Sequence, residues 1–258
     1  MKLKILLVLL LVPVVTFAET VFVENVVGEC TLINITPEQA RLCAIEQAKR
    51  AALERAGVEQ VMSVTTTLKT EENNDNFSDA FNSFSSMEMR GGIVGCEVLE
   101  GTIAKHLGVD VYKVTINAKV KKYKNTLDPQ FQIYVTGLQS AYRGGEVIQF
   151  DVTPTQKGFL KLFMFENEQN VSVIYPNAYE PSLSLEGGKM VSFPTTSILE
   201  YVAEKKTKAT SEHNYFIFVY TKIDIPFLLQ PTYENILSWI YAIDPDQRTV
   251  QFHDLTIY

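Results

Sequence analysis

One stretch of this chain, Thr36 to Gly57, carries helix signals at both ends, and almost everything else reads as strands. Thr36 suits the N-cap, Pro37 the first helical position, and Gln39 the place from which a capping box reaches back. Glu38 complements the positive end of the helix dipole. The spacing predicts a helix to about Ala56, with Gly57 as its C′ residue. Ala40, Cys43, Ala44, Ala48, Ala51 and Ala52 give it a face of small residues that can lie close on a sheet, and Glu46 and Arg50 pair on the wet side.

Strands flank that helix. Val21 to Cys30 reads as one before it, and Val58 to Leu68, rich in Val and Thr, as one after it. Phe77, Phe81 and Phe84 then recur at helical spacing, which suits either a short helix or an insert with three apolar anchors. After Gly91-Gly92, the runs Ile93–Ala104 and Val109–Tyr123 read as a hairpin. In its second strand Tyr112, Val114, Ile116, Ala118 and Val120 alternate with Lys113, Thr115, Asn117, Lys119 and Lys121, giving one buried and one solvated face. Residues 19–126 thus form a small β-α-β-β-β domain.

A polar connection, Asn125 to Pro129, leads into residues 127–258, where the texture changes. Short strands are expected near Phe131–Val135, Glu146–Val152, Gly158–Glu166, Asn170–Tyr175, Lys189–Phe193 and Tyr215–Ile223, with glycine- and asparagine-rich turns between them. A helix over Thr232–Ala242 and a last strand through Val250, Phe252 and Leu255–Tyr258 follow. Evenly spaced short strands argue for a sandwich or barrel. The fold class is therefore α+β: a small N-terminal α/β domain, then an all-β sandwich-like domain with a C-terminal helix. The change of texture leads us to expect that the halves melt separately or nearly so.

The first 18 residues predict export. Lys2 and Lys4 precede an apolar run from Ile5 to Val15, and Thr16 and Ala18 fit the positions before a signal-peptidase cut, so Ala18–Glu19 is the expected cleavage site. No later run is long and apolar enough for a membrane helix. The net charge of −7 and the absence of a strongly basic region argue against nucleic acid. In an exported chain Cys30, Cys43 and Cys96 allow one disulfide. Cys30 and Cys96 end and open predicted strands of one sheet, so that pair is the candidate, with Cys43 reduced under the helix; three reduced thiols are the alternative.

The second half carries ordered motifs: Tyr142-Arg143-Gly144-Gly145-Glu146-Val147, Gly158-Phe159-Leu160, Val173-Ile174-Tyr175-Pro176-Asn177, and Leu185-Glu186-Gly187-Gly188-Lys189 with Phe193-Pro194. Over about residues 132–219 these resemble the bacterial domain of unknown function 4384. The first half, through Gly28, the Ala-rich helix, Gly95 and the alternating strand Tyr112–Val120, is similar to the N-terminal domain of flagellar assembly protein T and to Lpp20-like envelope lipoproteins, although no lipidation cysteine follows the apolar run. Together these resemblances imply an envelope protein with an accessory or binding role.

No catalytic set is legible. The spacing of His106, His213 and His253 against the cysteines fits no zinc site, Asp244-Pro245-Asp246 reads as a turn, and the Gly-Gly pairs lack a phosphate-loop frame, so no cofactor or metal is expected. Phe159, Phe163, Phe165, Tyr175 and Tyr179 read as sandwich core. Trp239 and Tyr241 are candidates for partner contact, since Trp and Tyr anchor interfaces. So are Lys119 and Lys121, from a basic cluster that suits an anionic partner or simply a solvated face. The expected function is a non-catalytic, exported envelope protein, periplasmic or surface-associated, that binds another envelope protein or a surface polymer. The alternative is an exported hydrolase with a dispersed site.

Overall fold

The computed structural model describes residues 19–58, 91–166 and 170–258. The capping signals hold. Helix α1 spans Pro37–Arg55, with Thr36 Oγ1 accepting from the Gln39 amide and the Gln39 side chain accepting from the Thr36 amide at 2.8 Å. Gly57 follows at φ +75°, the conformation that ends helices in this way. Strands β1 (Thr20–Thr31), β2 (Gly91–His106) and β3 (Val109–Lys122) form an antiparallel sheet in the order β1-β3-β2. The strand expected at Val58–Leu68, beyond Val58 itself, and the helix expected around Phe77, Phe81 and Phe84 lie outside the described residues.

Helix α1 covers one face of this sheet. Ala44, Ala48 and Ala52 bury against Val23, Val26, Val114, Ile116, Ala118 and Val120. The contact is close because Gly28 lies beneath it: a Cβ there would stand 2.0 Å from the Ala44 carbonyl oxygen and 2.5 Å from the Ala48 amide nitrogen. Backbone atoms cannot swing aside, so Gly28→Ala must lift the helix. We expect a loss of about 2 kcal/mol, typical of overpacking, seen as a lower urea midpoint at constant slope. An unchanged midpoint would contradict this packing. Two expected features differ. Cys43 and Ala51 are only half-buried. Glu46 pairs with Lys49, at 2.8 Å, and not with Arg50.

The expected Cys30–Cys96 bridge is replaced by Cys30–Cys43, with Cα atoms 5.8 Å apart. Strand order is the reason. β3 runs between β1 and β2; Cys30 stands opposite Tyr112 on it and Cys96 opposite Ala118. Two strand spacings of about 4.8 Å, and some six residues along β3, put Cys30 and Cys96 out of bridging reach. Cys43 instead turns off the buried face of α1 toward the end of β1. The short loop that this bridge closes limits its stabilisation to about 3 kcal/mol.

The second half contains β4 (Ile133–Thr136), β5 (Ala141–Tyr142), β6 (Val147–Ile148), β7 (Phe150–Pro154), β8 (Gly158–Phe165), β9 (Val171–Tyr175), β10 (Ser184–Leu185), β11 (Val191–Phe193), β12 (Tyr201–Val202), β13 (Glu212–Thr221) and β14 (Arg248–Ile257), with helix α2 at Tyr233–Ala242. The main sheet runs β10-β8-β13-β14-β5, with β9 pairing β8. Small sheets β11-β7-β4 and β12-β6 lie across it. One core, including Phe131, Phe150, Leu160, Phe193, Phe216 and Phe218, fills the space between main and small sheets. A second, including Phe163, Phe165, Ile217, Val219 and Ile236, lies between the other face of the main sheet and α2. Phe163 and Phe165 are therefore core beneath the helix, outside the sandwich interior. Tyr175 is buried as expected, but Tyr179 is exposed. The whole is an α+β, β-rich fold.

Helix α2 also touches the first half. Ser238 Oγ donates to the Val94 carbonyl of β2 at 2.6 Å, and the Tyr123 hydroxyl donates to the Tyr241 carbonyl at 2.7 Å. A Cβ at Gly92 would meet the Tyr241 ring at 2.6 Å. The same helix thus packs on the main sheet and against the outer strand of the N-terminal sheet.

Candidate binding site

Three of the four residues proposed for partner contact are used inside the molecule. Trp239 is buried, with its ring edge-to-face on Phe163 and Phe227, both at 5.8 Å between centroids. Tyr241 packs over Gly92, and burial drives its hydroxyl pKa well above the ordinary tyrosine value. Lys121 donates to the Ala242 carbonyl at 2.6 Å and pairs with Asp244 at 2.9 Å, so it fastens the two halves together. The anionic-partner reading of the basic cluster weakens further because Lys113 pairs with Glu29. The alternation that predicted a solvated lysine face was right about side-chain direction. It could not show that α2 and the turn after it stand against the end of that face.

Lys119 is different. It is exposed, on the sheet face opposite α1, with its ammonium 5.5 Å from the centroid of the Phe22 ring. The two residues belong to an open cleft of about 290 Å³, also lined by Glu24, Gly95, Glu97 and Asn117. Backbone irregularity shapes it. β1 is bulged between Val23 and Val26, and Asn25 there has φ +52°. That bulge turns the Asn25 amide onto Asn117 Oδ1, at 3.0 Å. β2 has register shifts on both sides of the cleft, between Ile93 and Gly95 and between Val98 and Glu100. Bulges of this sort bend a strand and re-aim its side chains, and they recur beside functional sites. In this cleft Phe22 is a large apolar side chain left in the open, 71% exposed.

Cys96 is the free thiol; it stands opposite Ala118, on the α1 face of the sheet, with Lys49, Glu234 and Glu46 as its charged neighbours. Desolvation raises its pKa, which keeps the sulfur protonated and poorly nucleophilic. Because Cys30 and Cys43 are bridged, labelling in denaturant without reductant should modify Cys96 alone, and adding reductant should expose the other two. Labelling of Cys30 or Cys43 before reduction would exclude the bridge.

Among the described residues, the nearest approach to catalytic chemistry is Ser182 Oγ, 3.3 Å from the Lys161 ammonium. Lys161 is buried and ion-paired with Asp224 at 2.6 Å. That contact already engages the lysine, so its nitrogen is directed at Asp224 and is not held for Ser182. Among the described residues no group of His, Cys, Asp and Glu is placed to hold a metal ion.

The most elaborate polar cluster surrounds Glu180, which is fully buried. Its Oε1 accepts from the Thr195 amide at 2.5 Å and the Thr195 hydroxyl at 2.9 Å; its Oε2 accepts from the Tyr201 hydroxyl at 2.5 Å and Asn177 Nδ2 at 3.2 Å. The same Asn177 receives the Tyr179 and Glu180 amides on Oδ1 and donates to the Ile174 carbonyl. Every carboxylate acceptor position is occupied from within, so the cluster is a clamp between loops and offers a ligand nothing.

Residues 141–211 match the family described as a domain of unknown function, DUF4384. The match lies in the C-terminal half, inside the span where the motifs placed it, and it contains the whole Glu180 clamp. No curated protein matches the chain. No helix among the described residues is long and apolar enough to cross a membrane.

Proposed function

We propose that this protein is exported and works in the cell envelope, periplasmic or surface-associated, as a non-catalytic binding or assembly module. Its partner is another envelope protein or a surface polymer, held at the cleft of the N-terminal sheet. The observation that carries this reading is a contrast between two regions. Glu180 and Lys161 are satisfied by neighbouring side chains and closed off. Around Phe22 and Lys119, in contrast, an aromatic ring and polar groups face solvent together. The signal-peptide pattern at residues 1–18 supports the location. Among the described residues, a hydrolase would rest on Ser182, whose lysine neighbour is already engaged by Asp224.

The test is capture from solubilised native envelope with the chain beginning at Glu19, beside Phe22→Ser and Lys119→Glu. A partner retained by the parent chain and lost by both variants is the expected result. Equal capture by all three would overturn the assignment to this cleft. Exported material whose N-terminus is Met1 would overturn cleavage at Ala18.

A further inference from the structure

Gly95 lies inside a strand, where glycine is unfavourable because it adds chain entropy and packs nothing. The other strand glycines of this fold have visible reasons. A Cβ at Gly28, Gly91, Gly92 or Gly158 would come within 3.0 Å of atoms packed on it, and one at Gly101 would press on the Tyr112 ring, 3.1 Å from its hydroxyl. Gly95 has none. A Cβ there would make only an ordinary contact, 3.6 Å from Lys119 Cβ, and its φ is not in the left-handed range that the neighbouring bulge could have demanded. What its bare backbone does is keep the cleft beside Lys119 open. A glycine kept at a cost to its strand, flanked by bulges on both outer strands, is what close approach of a ligand to the backbone requires.

The groups around it select the ligand. Phe22 offers an exposed ring face to an apolar surface. Glu24 and Glu97 are exposed acceptors on either side, neither paired with a cation among the described residues. Lys119 donates, and Asn117, whose Oδ1 is taken by Asn25, has its amide NH2 left to donate. Two carboxylates against one ammonium disfavour an anion. A peptide strand finds no free backbone in the floor, because β3 is paired on both sides. A pyranose ring has the complementary chemistry: an apolar C–H face for the ring and hydroxyls that both donate and accept around its rim. Resting on the binding-module reading above, we infer that the Gly95 cleft is a subsite for a neutral oligosaccharide.

The probes are chitotetraose and maltotetraose, added to the intact chain from Glu19 and followed by backbone amide NMR. At least one sugar should shift residues 22–25, 95–97 and 117–119 and leave the C-terminal half in place. Phe22→Ala should weaken that binding by roughly tenfold, as loss of one stacked ring would. Gly95→Val should melt at the same or a higher temperature and bind neither sugar. Shifts that persist in Gly95→Val, or a lower melting temperature for that variant, overturn the inference. So does silence with both sugars; if envelope capture is still lost in Phe22→Ser, the binding reading stands and only the sugar falls.

Discussion

Replacing Glu180 by alanine is expected to remove about 4 kcal/mol of stability, the largest effect of any single substitution outside the hydrophobic core. The carboxylate is fully buried and accepts four hydrogen bonds, from the Thr195 amide and hydroxyl, the Tyr201 hydroxyl and Asn177 Nδ2. Alanine strands those donors together in a cavity, and each buried donor left unpaired costs about 1–3 kcal/mol. The costs do not add fully, because loops 176–180 and 195–201 can relax and admit water. Even so, the loss is a large share of the roughly 5–15 kcal/mol that holds a domain together. Two milder variants separate the causes. Tyr201→Phe removes one donor and should cost about 1 kcal/mol. Glu180→Gln keeps the volume but turns an NH2 toward groups that also donate, so it should fall between the other two. Urea midpoints at constant slope measure all three. A Glu180→Ala midpoint within error of the parent chain would mean that the clamp does not hold the loops.

This clamp shows where sequence reading stopped. The Tyr-Pro-Asn corner and the Phe193-Pro194 step were visible as motifs, and the family match covers both. What links them was not, because Glu180 in the string is one acidic residue among 30. Its meaning comes from a long-range convergence that brings Thr195 and Tyr201 over it. Local chemistry was far more legible. The cap of α1, its glycine stop and the alternation along β3 each depend on neighbours in sequence, and each formed as expected.

Errors came where topology decided the outcome. The disulfide was misassigned because the order β1-β3-β2 separates Cys30 from Cys96, and strand order has no local signature. Trp239, Tyr241 and Lys121 were misread for the same kind of reason. An amphipathic helix near the end of the chain does not announce that it will lie against two sheets at once. Short strands such as Ala141–Tyr142, Ser184–Leu185 and Tyr201–Val202 escaped because two residues leave no periodicity to read. The candidate cleft was half visible. Lys119 was named from its alternating strand, and Gly95 was noticed, but Phe22 and the bulges that curve the sheet appear only in three dimensions.

Raising the pH through the tyrosine range is expected to unfold the protein abruptly. Burial raises the pKa of Tyr201, Tyr220 and Tyr241 above the ordinary value; the Glu180 carboxylate adds to the shift of Tyr201 and the Glu186 charge to that of Tyr220. In each case the folded chain favours the neutral phenol. The stability these groups contribute is therefore complete below about pH 10, where an unfolded tyrosine begins to ionise, and is lost as pH climbs toward the raised folded values. Each such tyrosine contributes a slope of about 1.4 kcal/mol per pH unit, so the three together lose about 4 kcal/mol per unit. Tyr123 and Tyr175 are shifted in the same direction and steepen the fall. Two units above pH 10 the deficit reaches about 8 kcal/mol, which matches the whole stability of an ordinary domain. The fold should consequently fail between about pH 11 and 12. Tyrosinate absorbance followed beside far-ultraviolet circular dichroism gives the check. Of the 12 tyrosines, Tyr201, Tyr220 and Tyr241 are the ones that report on the fold. They should ionise only as the dichroism collapses, and Tyr220→Phe should move the collapse to higher pH relative to its own neutral-pH stability. If all of them titrate together near pH 10 while the strands remain intact, those hydroxyls are not held away from water as the packing of Tyr201, Tyr220 and Tyr241 requires.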